Sequence, residues 1–477
     1  INTKLNNIKV TSPFIEIKKN KNLFIVNGQL LNNKKNFDID EFDSIFDNLF
    51  NNTDLRKVEF SSKNIFSFNV NENLKFDNVK VESIVDLNQL NFNQKNLKLK
   101  SYFPSFIDEI KLERHKIFIN YKKNKFDIRG NGNILLEDKS DNLSYQIMKD
   151  KDNLFFDTKI NLKNNSLIID FLDYKKKSDL SSLISITGNF KKNNQLRLDS
   201  INIKETNNEI SIKGLDLDKS FKIIDIENFD INYRNDKKFF NKLKLKKNNS
   251  NFIIEGESFD ASKIIDYIMD NDDEKSSIFK NLNSQIKIRI KKTYIDEVNY
   301  FNNLFGSINI NNNKIVDLKL ESTFPNKKKI NISIETNNNL ETVTKLFTTH
   351  PKPLIKRYDF IEGFEEGTLN FYSMKKKDIS NSVLVIDNFK VKEVPIFAKL
   401  LSMASLQGMA DLLTGEGIRF TDFEMNFSNQ KGITRIEEMY AIGPAVSILM
   451  DGYIENKKLV SLRGTLVPAT TINRSIA

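Results

Sequence analysis

The chain is 477 residues long, only 39% hydrophobic, and contains no cysteine. The lack of thiols excludes a disulfide scaffold, a cysteine metal site and cysteine nucleophiles. The low apolar content argues against several large closed cores and for a thin, extended architecture. A net charge of +10, spread along the whole length, fits an anionic neighbour such as lipid headgroups or nucleic acid, and fits equally a bias in genome base composition.

From Ile1 to about Asn249 the sequence reads as one strand after another. LFIVNGQLL near Leu23 is the first clear case. In KIFINYKKNKFDIRGNGNILLED, Ile117, Ile119 and Tyr121 share one face, the chain turns at Lys122 to Lys125, and Phe126 and Ile128 resume the alternation, which predicts a hairpin. The same alternation recurs around LFFDTKINLKNNSLIIDFL, around Ile210 and Ile212, and in FKIIDIENFDINYR. Polar turns such as KNN and ETNN separate the strands with residues that tolerate left-handed backbone. Phe37 to Phe50 departs from the rule, because Phe42, Ile45, Phe46 and Leu49 fall at helical spacing.

Further on, Ser262 to Met269 predicts a short helix with Asp260 placed to cap it, and strands return from Ile286 to Phe324. His350 to Lys356, HPKPLIK, reads as a turn or linker. Pro395 to Leu413 carries apolar residues at Phe397, Leu400, Leu401, Ala404 and Leu412, spaced for a helix that packs on the sheet or caps one end of it. After Gly415 and Gly417, strand character resumes with Phe420, Phe423, Met425 and Phe427, and two more strands follow in GPAVSILMDGYIE and KKLVSLRGTLVP.

Four words in order, PIFAKLLSMAS, LTGEGIRF, AIGPAVSILMDGYIE and LRGTLVPATTIN, resemble the C-terminal region of AsmA-like proteins, a bacterial envelope superfamily of the YhdP and TamB type. FIIEGESFDASKIIDYI, from Phe252 to Ile268, is similar to a recurrent strand and short-helix unit of the same family. The resemblance covers roughly the last half of the chain. It implies a mainly β fold, an elongated and curled antiparallel sheet whose apolar groove takes phospholipid acyl chains, with a few short helices near the C-terminal end. On that reading 1–250 is a repetitive strand region, 251–390 continues it with short helices, and 391–477 is the family's C-terminal region, truncated.

The implied function is periplasmic carriage of phospholipid between inner and outer membranes of a Gram-negative bacterium, supporting outer-membrane biogenesis. The inner membrane would be reached through an N-terminal anchor outside this fragment, with the outer membrane or envelope proteins as further partners. A TamB-type role in outer-membrane protein assembly, or a structural or adhesive β-protein without lipid, is the alternative. The lining candidates are Ile117, Ile119, Tyr121, Phe126, Ile128, Ile210, Ile212, Phe423, Met425 and Phe427. Each methylene taken from water is worth about 0.8 kcal/mol, so two long chains would gain roughly ten kcal/mol or more in gross terms.

Catalysis finds little support. His115 and His350 lie far apart, no GxSxG elbow or Walker loop occurs, and RGNGN at Gly130 and Gly132 lacks the third glycine of a dinucleotide site. Asp270 to Lys275, DNDDEK, lacks the central glycine and distal glutamate of a calcium loop, and Asp422 with Glu424 reads as a solvent face. No catalytic residue, cofactor or metal is expected. The lysine runs at Lys175, Lys327 and Lys375 are dispersed over turns, which suits the outside of a sheet better than a nucleic-acid platform.

Overall fold

The computed structural model describes residues 2–5, 8–37, 53–94, 99–123, 125–151, 153–190, 195–265, 280–357, 360–392, 417–455 and 459–468. Of these, 73% are strand and 4% helix, so the fold is mainly β, in a large, mostly antiparallel sheet that is not closed into a barrel. The chain divides into two compact units: residues 1–247 with 262–280, and residues 248–261 with 281–477.

In the first unit β1 (Asn2–Leu5), β2 (Ile8–Thr11) and β3 (Ile15–Asn20) precede three longer strands, β4 (Leu23–Phe37), β5 (Thr53–Asn71) and β6 (Phe76–Gln94). The meander continues through β7 (Ile110–Lys122), β8 (Lys125–Leu135), β9 (Ser140–Asp150) and β10 (Asn153–Leu162). After a small separate hairpin, β11 (Leu167–Ile169) and β12 (Tyr174–Lys176), it resumes with β13 (Ser182–Phe190), β14 (Leu196–Lys204), β15 (Glu209–Leu217), β16 (Ile223–Arg234) and β17 (Phe240–Asn248).

The second unit holds β18 (Asn251–Asp260), β19 (Ser284–Tyr294), β20 (Tyr300–Asn311), β21 (Lys314–Thr323), β22 (Lys329–Thr336) and β23 (Glu341–Thr348). A short helix, α1 (Lys352–Arg357), then leads into β24 (Phe364–Lys376), β25 (Ile379–Val391), β26 (Ile418–Gln430), β27 (Ile433–Ile442), β28 (Val446–Glu455) and β29 (Leu459–Pro468). β18 and β19 pair in parallel, Phe252 beside Ile286. Parallel neighbours need a crossover rather than a tight turn, and the stretch between them begins with helical residues 262–265.

The asparagine-rich turns do what their residues permit. Asn249, Asn312 and Asn313 take left-handed backbone at φ 56°, 47° and 63°, a region open to asparagine at lower cost than to most side chains.

Two stretches differ from their sequence reading. LKNNSLIIDFLDYKKK does not turn back into the main sheet after Leu162; it forms β11, a 3-10 turn at Asp170–Leu172, and β12. His350 to Lys356 is no linker: α1 starts there and buries Pro353 and Ile355, since proline in a first helical turn gives up only an N–H that has no partner anyway. The expected helix after Phe37 lies outside the described residues, and Phe37 itself ends β4.

Candidate functional site

The register answers the question that alternation leaves open, which apolar residues of different strands share a face. Residues directly opposite in a ladder point to the same side. In the first unit Val85 of β6 stands opposite Ile117, Ile117 opposite Gly130, and Gly130 opposite Tyr145. The same row continues through Thr158, Ile186, Ile201, Ile212, Phe229 and Leu245 on β17.

A parallel row holds Ile119, Ile128, Ile147 and Phe156. One residue along the same strands, the opposite face carries Lys116, Asn131, Ser144, Lys159, Ser185, Asn202, Ser211 and Asp230. One face is therefore apolar from β6 to β17 and the other mostly polar, with Phe118, Met148, Phe155 and Leu183 exposed on it.

The apolar face is sealed at one end of the strands and half-buried beyond it. Residues 163–181 form a strap over the sealed end. Tyr174 meets the Tyr233 ring edge-on at 5.3 Å, and the Tyr233 hydroxyl donates to the Leu172 carbonyl. Under the strap Ile210 is 3% exposed and Ile231 fully buried.

A buried polar knot fastens it. Asp141 accepts backbone N–H groups from Lys163 (2.7 Å), Asn164 (2.8 Å) and Asn165 (3.2 Å), while Lys176 donates to the carbonyls of Asn165 (2.6 Å) and Lys163 (3.1 Å). Burial lowers the Lys176 pKa, a shift opposed by the charge of Asp141. The Tyr174 hydroxyl donates to Glu205 at 2.6 Å, and burial followed by that carboxylate raises its pKa.

Outside the strap Ile117, Ile119, Ile128, Ile147, Phe156, Ile186, Ile201, Ile212 and Phe229 are all half-buried, neither core nor fully solvated. Gly130 and Gly132, read above as a failed dinucleotide motif, serve this face. A Cβ on Gly130 would sit 2.3 Å from the Tyr145 ring, and one on Gly132 would sit 2.4 Å from His115. Aromatic rings thus lie flat across glycine and keep the row low. Burial pushes the Tyr145 hydroxyl up to about 12.

His115 is 1% exposed; its Nε2–H donates to the Asn133 carbonyl at 2.9 Å, and Nδ1 is buried without a partner. Burial depresses its pKa, with the Asn133 bond opposing. His350 packs edge-on against Phe324 at 4.9 Å. Both histidines are packing residues.

The second unit repeats the arrangement over twelve strands. Ile254, Ile288, Gly306, Leu320, Ile332 and Leu346 stand in register from β18 to β23. Phe371, Leu384, Met425, Met439 and Met450 carry the row on to β28, and Gly464 ends it on β29.

One end is again sealed, by Ile355 of α1 packed with Phe364, Ile386, Phe389, Phe420 and Phe423. Phe389 stacks on Phe364 at 5.3 Å and on Phe420 at 5.2 Å. On the other side of the apolar row lies a band of hydroxyls. Thr344, Ser373 and Ser382 are in register, with Ser382 donating to Ser373 at 2.8 Å. Thr336 with Thr342 (3.0 Å) and Asn429 with Thr434 (2.8 Å) follow one step further out.

The lining candidates therefore separate. Ile117, Ile119, Phe126, Ile128 and Ile212 share the open apolar face of the first unit, with Tyr121 at its rim. Phe427, half-buried, belongs to that of the second. Ile210, Phe423 and Met425 are 3%, 5% and 6% exposed and belong to the sealed ends, closed to any ligand. Phe397, Leu400, Leu401, Ala404 and Leu412, and likewise Asp270 to Lys275, lie outside the described residues.

The polar face has a depression of about 770 Å³ where Ile65, Ile84 and Phe118 interrupt it between Lys63 and Arg129. Among the described residues no helix is long and apolar enough to cross a membrane, and no cluster of three or more metal-ligating side chains occurs. No family model, curated protein or solved structure matches the chain.

Proposed function

We propose that the chain carries phospholipid along its apolar faces, acyl chains against the half-buried rows and headgroups toward the hydroxyl band, between the inner and outer membranes of a Gram-negative envelope. The reading rests chiefly on one observation, the unbroken cross-strand row from Ile254 to Met450. The envelope setting rests on the resemblance of the C-terminal words to AsmA-like proteins.

Length supports the reading. The eleven strands from β18 to β28 at about 4.8 Å spacing give a row of about 48 Å, about three times the roughly 15 Å hydrocarbon depth of one leaflet. A lipid could then advance by exchanging near-equivalent contacts, with no step that exposes a whole acyl chain.

A photo-crosslinking residue at Leu346 or Phe156 tests it. It captures phospholipid on activation in cells, whereas one at Lys345 or Ser144, on the opposite face, does not. Equal capture from both faces, or from neither, would sink the proposal.

A further inference from the structure

Two turns of this chain display leucine to solvent in the same unusual way. In the β5–β6 turn, Asn71 Oδ1 accepts the N–H groups of Asn73 (3.0 Å) and Lys75 (2.9 Å), and Leu74 N–H donates to the Asn71 carbonyl at 2.9 Å. In the β22–β23 turn, Asn337 Oδ1 accepts from Asn339 (2.9 Å) and Glu341 (3.0 Å), and Leu340 N–H donates to the Asn337 carbonyl at 3.0 Å.

Both leucines take left-handed backbone, at φ 54° and 59°, and they are 77% and 79% exposed. Leucine is disfavoured there, where asparagine or glycine would relax the turn. Backbone cost is thus spent on holding an apolar side chain rigidly in water, and such strain is a pointer to function.

In the first unit this turn lies on a basic edge. The β3–β4, β5–β6, β7–β8 and β9–β10 turns all fall at the same end of the strands. Segments 16–21, 72–80, 122–125 and 149–151 hold ten lysines against four carboxylates. Lys123 and Lys125 are paired with Asp77 (3.0 Å) and Asp150 (2.9 Å), but Lys80 stands directly opposite Lys122, a like-charge pair that is unfavourable unless an anion arrives. Phe76 (68%), Ile17 (64%) and Phe24 (37%) are exposed beside them.

We infer that this edge docks on an anionic lipid surface, with Leu74 inserted among the acyl chains and the lysines at the phosphates. Nucleic acid would also meet the charge and could stack on Phe76, but the strained, most exposed tip is leucine, and Ile17 beside it is aliphatic too, side chains with no π face to stack a base. The inference is independent of whether the apolar faces carry lipid, because Lys80 and Lys122 lie on the opposite face and Leu74 sits at a turn.

The test is flotation of the purified chain with vesicles of phosphatidylcholine alone or with added phosphatidylglycerol. Wild type floats with the phosphatidylglycerol vesicles, and less so at high salt. Leu74→Asn relaxes the backbone, so its thermal midpoint stays or rises while vesicle partition falls about tenfold, the effect of one inserted side chain. A Lys80→Gln, Lys122→Gln variant loses the preference for phosphatidylglycerol. Wild type that ignores phosphatidylglycerol, a folded Leu74→Asn protein that partitions as wild type does, or binding to duplex DNA without vesicle binding would each overturn the inference.

Discussion

Lys176 donates to the carbonyl of Asn165 at 2.6 Å while only 1% exposed, so a lysine is spent on tying two backbone segments together inside the strap. Replacing it with methionine keeps the stem and leaves the carbonyls of Lys163 and Asn165 without this donor. The expected cost is about 2 kcal/mol, chiefly from the Asn165 carbonyl, since that of Lys163 still accepts from the Asp179 N–H at 2.9 Å. Chemical denaturation reads the loss. Limited proteolysis reads its location, with cleavage of the variant concentrated in residues 163–181, and uniform cleavage along the chain would show that the strap is not what loosens.

Gly130 lies under the Tyr145 ring. Gly130→Val improves strand propensity yet forces the ring off the row, so overpacking dominates and stability falls by about 1–3 kcal/mol. The fluorescence or NMR environment of Tyr145 reports the displacement. A variant as stable as wild type would show that the sheet bends to admit a side chain here.

The histidines set a pH dependence. Burial holds both His115 and His350 below the ordinary value of 6.5, with Lys328 and Lys352 adding to the shift at His350. A depressed histidine pKa means that the unfolded chain binds the proton more readily. Stability is therefore full above about pH 6.5 and drains as the pH falls from there toward the folded-state values. Asp218, held at about 2, together with Glu341 and Glu365, both lowered, releases stability only in more acidic solution.

Thermal midpoints between about pH 7 and pH 5 check this. His350→Phe keeps the edge contact with Phe324 and flattens part of the slope. An unchanged slope would mean that this histidine is not titrating on unfolding.

Much of the fold is legible in the sequence because period-two alternation acts locally. Ile117, Ile119, Tyr121, Phe126 and Ile128 form the hairpin that their spacing predicts, and β28 and β29 fall where two strands are expected. Which apolar residues stay open is not local. Ile210 and Ile212 look alike in sequence, yet only Ile210 is 3% exposed, because a strap from residues 163–181 happens to cross it.

That strap reads as ordinary strand because Leu167, Ile168 and Ile169 suit any sheet. Its separate fate depends on Asp141, more than twenty residues away. α1 was hidden by prolines that are read as breakers and instead start a helix. Leu74 carried no signal at all, since left-handed leucine is the residue that turn rules advise against.

The measurement that bears most directly on lipid carriage is native mass spectrometry with lipid extraction on the chain purified from a bacterial host. The apolar rows predict more than one phospholipid per chain, lost when Ile117 and Ile119 are both changed to Asp and retained when Asn131 and Ser144 of the polar face are changed instead. A folded chain free of lipid, or one whose lipid survives the Ile117→Asp, Ile119→Asp change, would contradict the account.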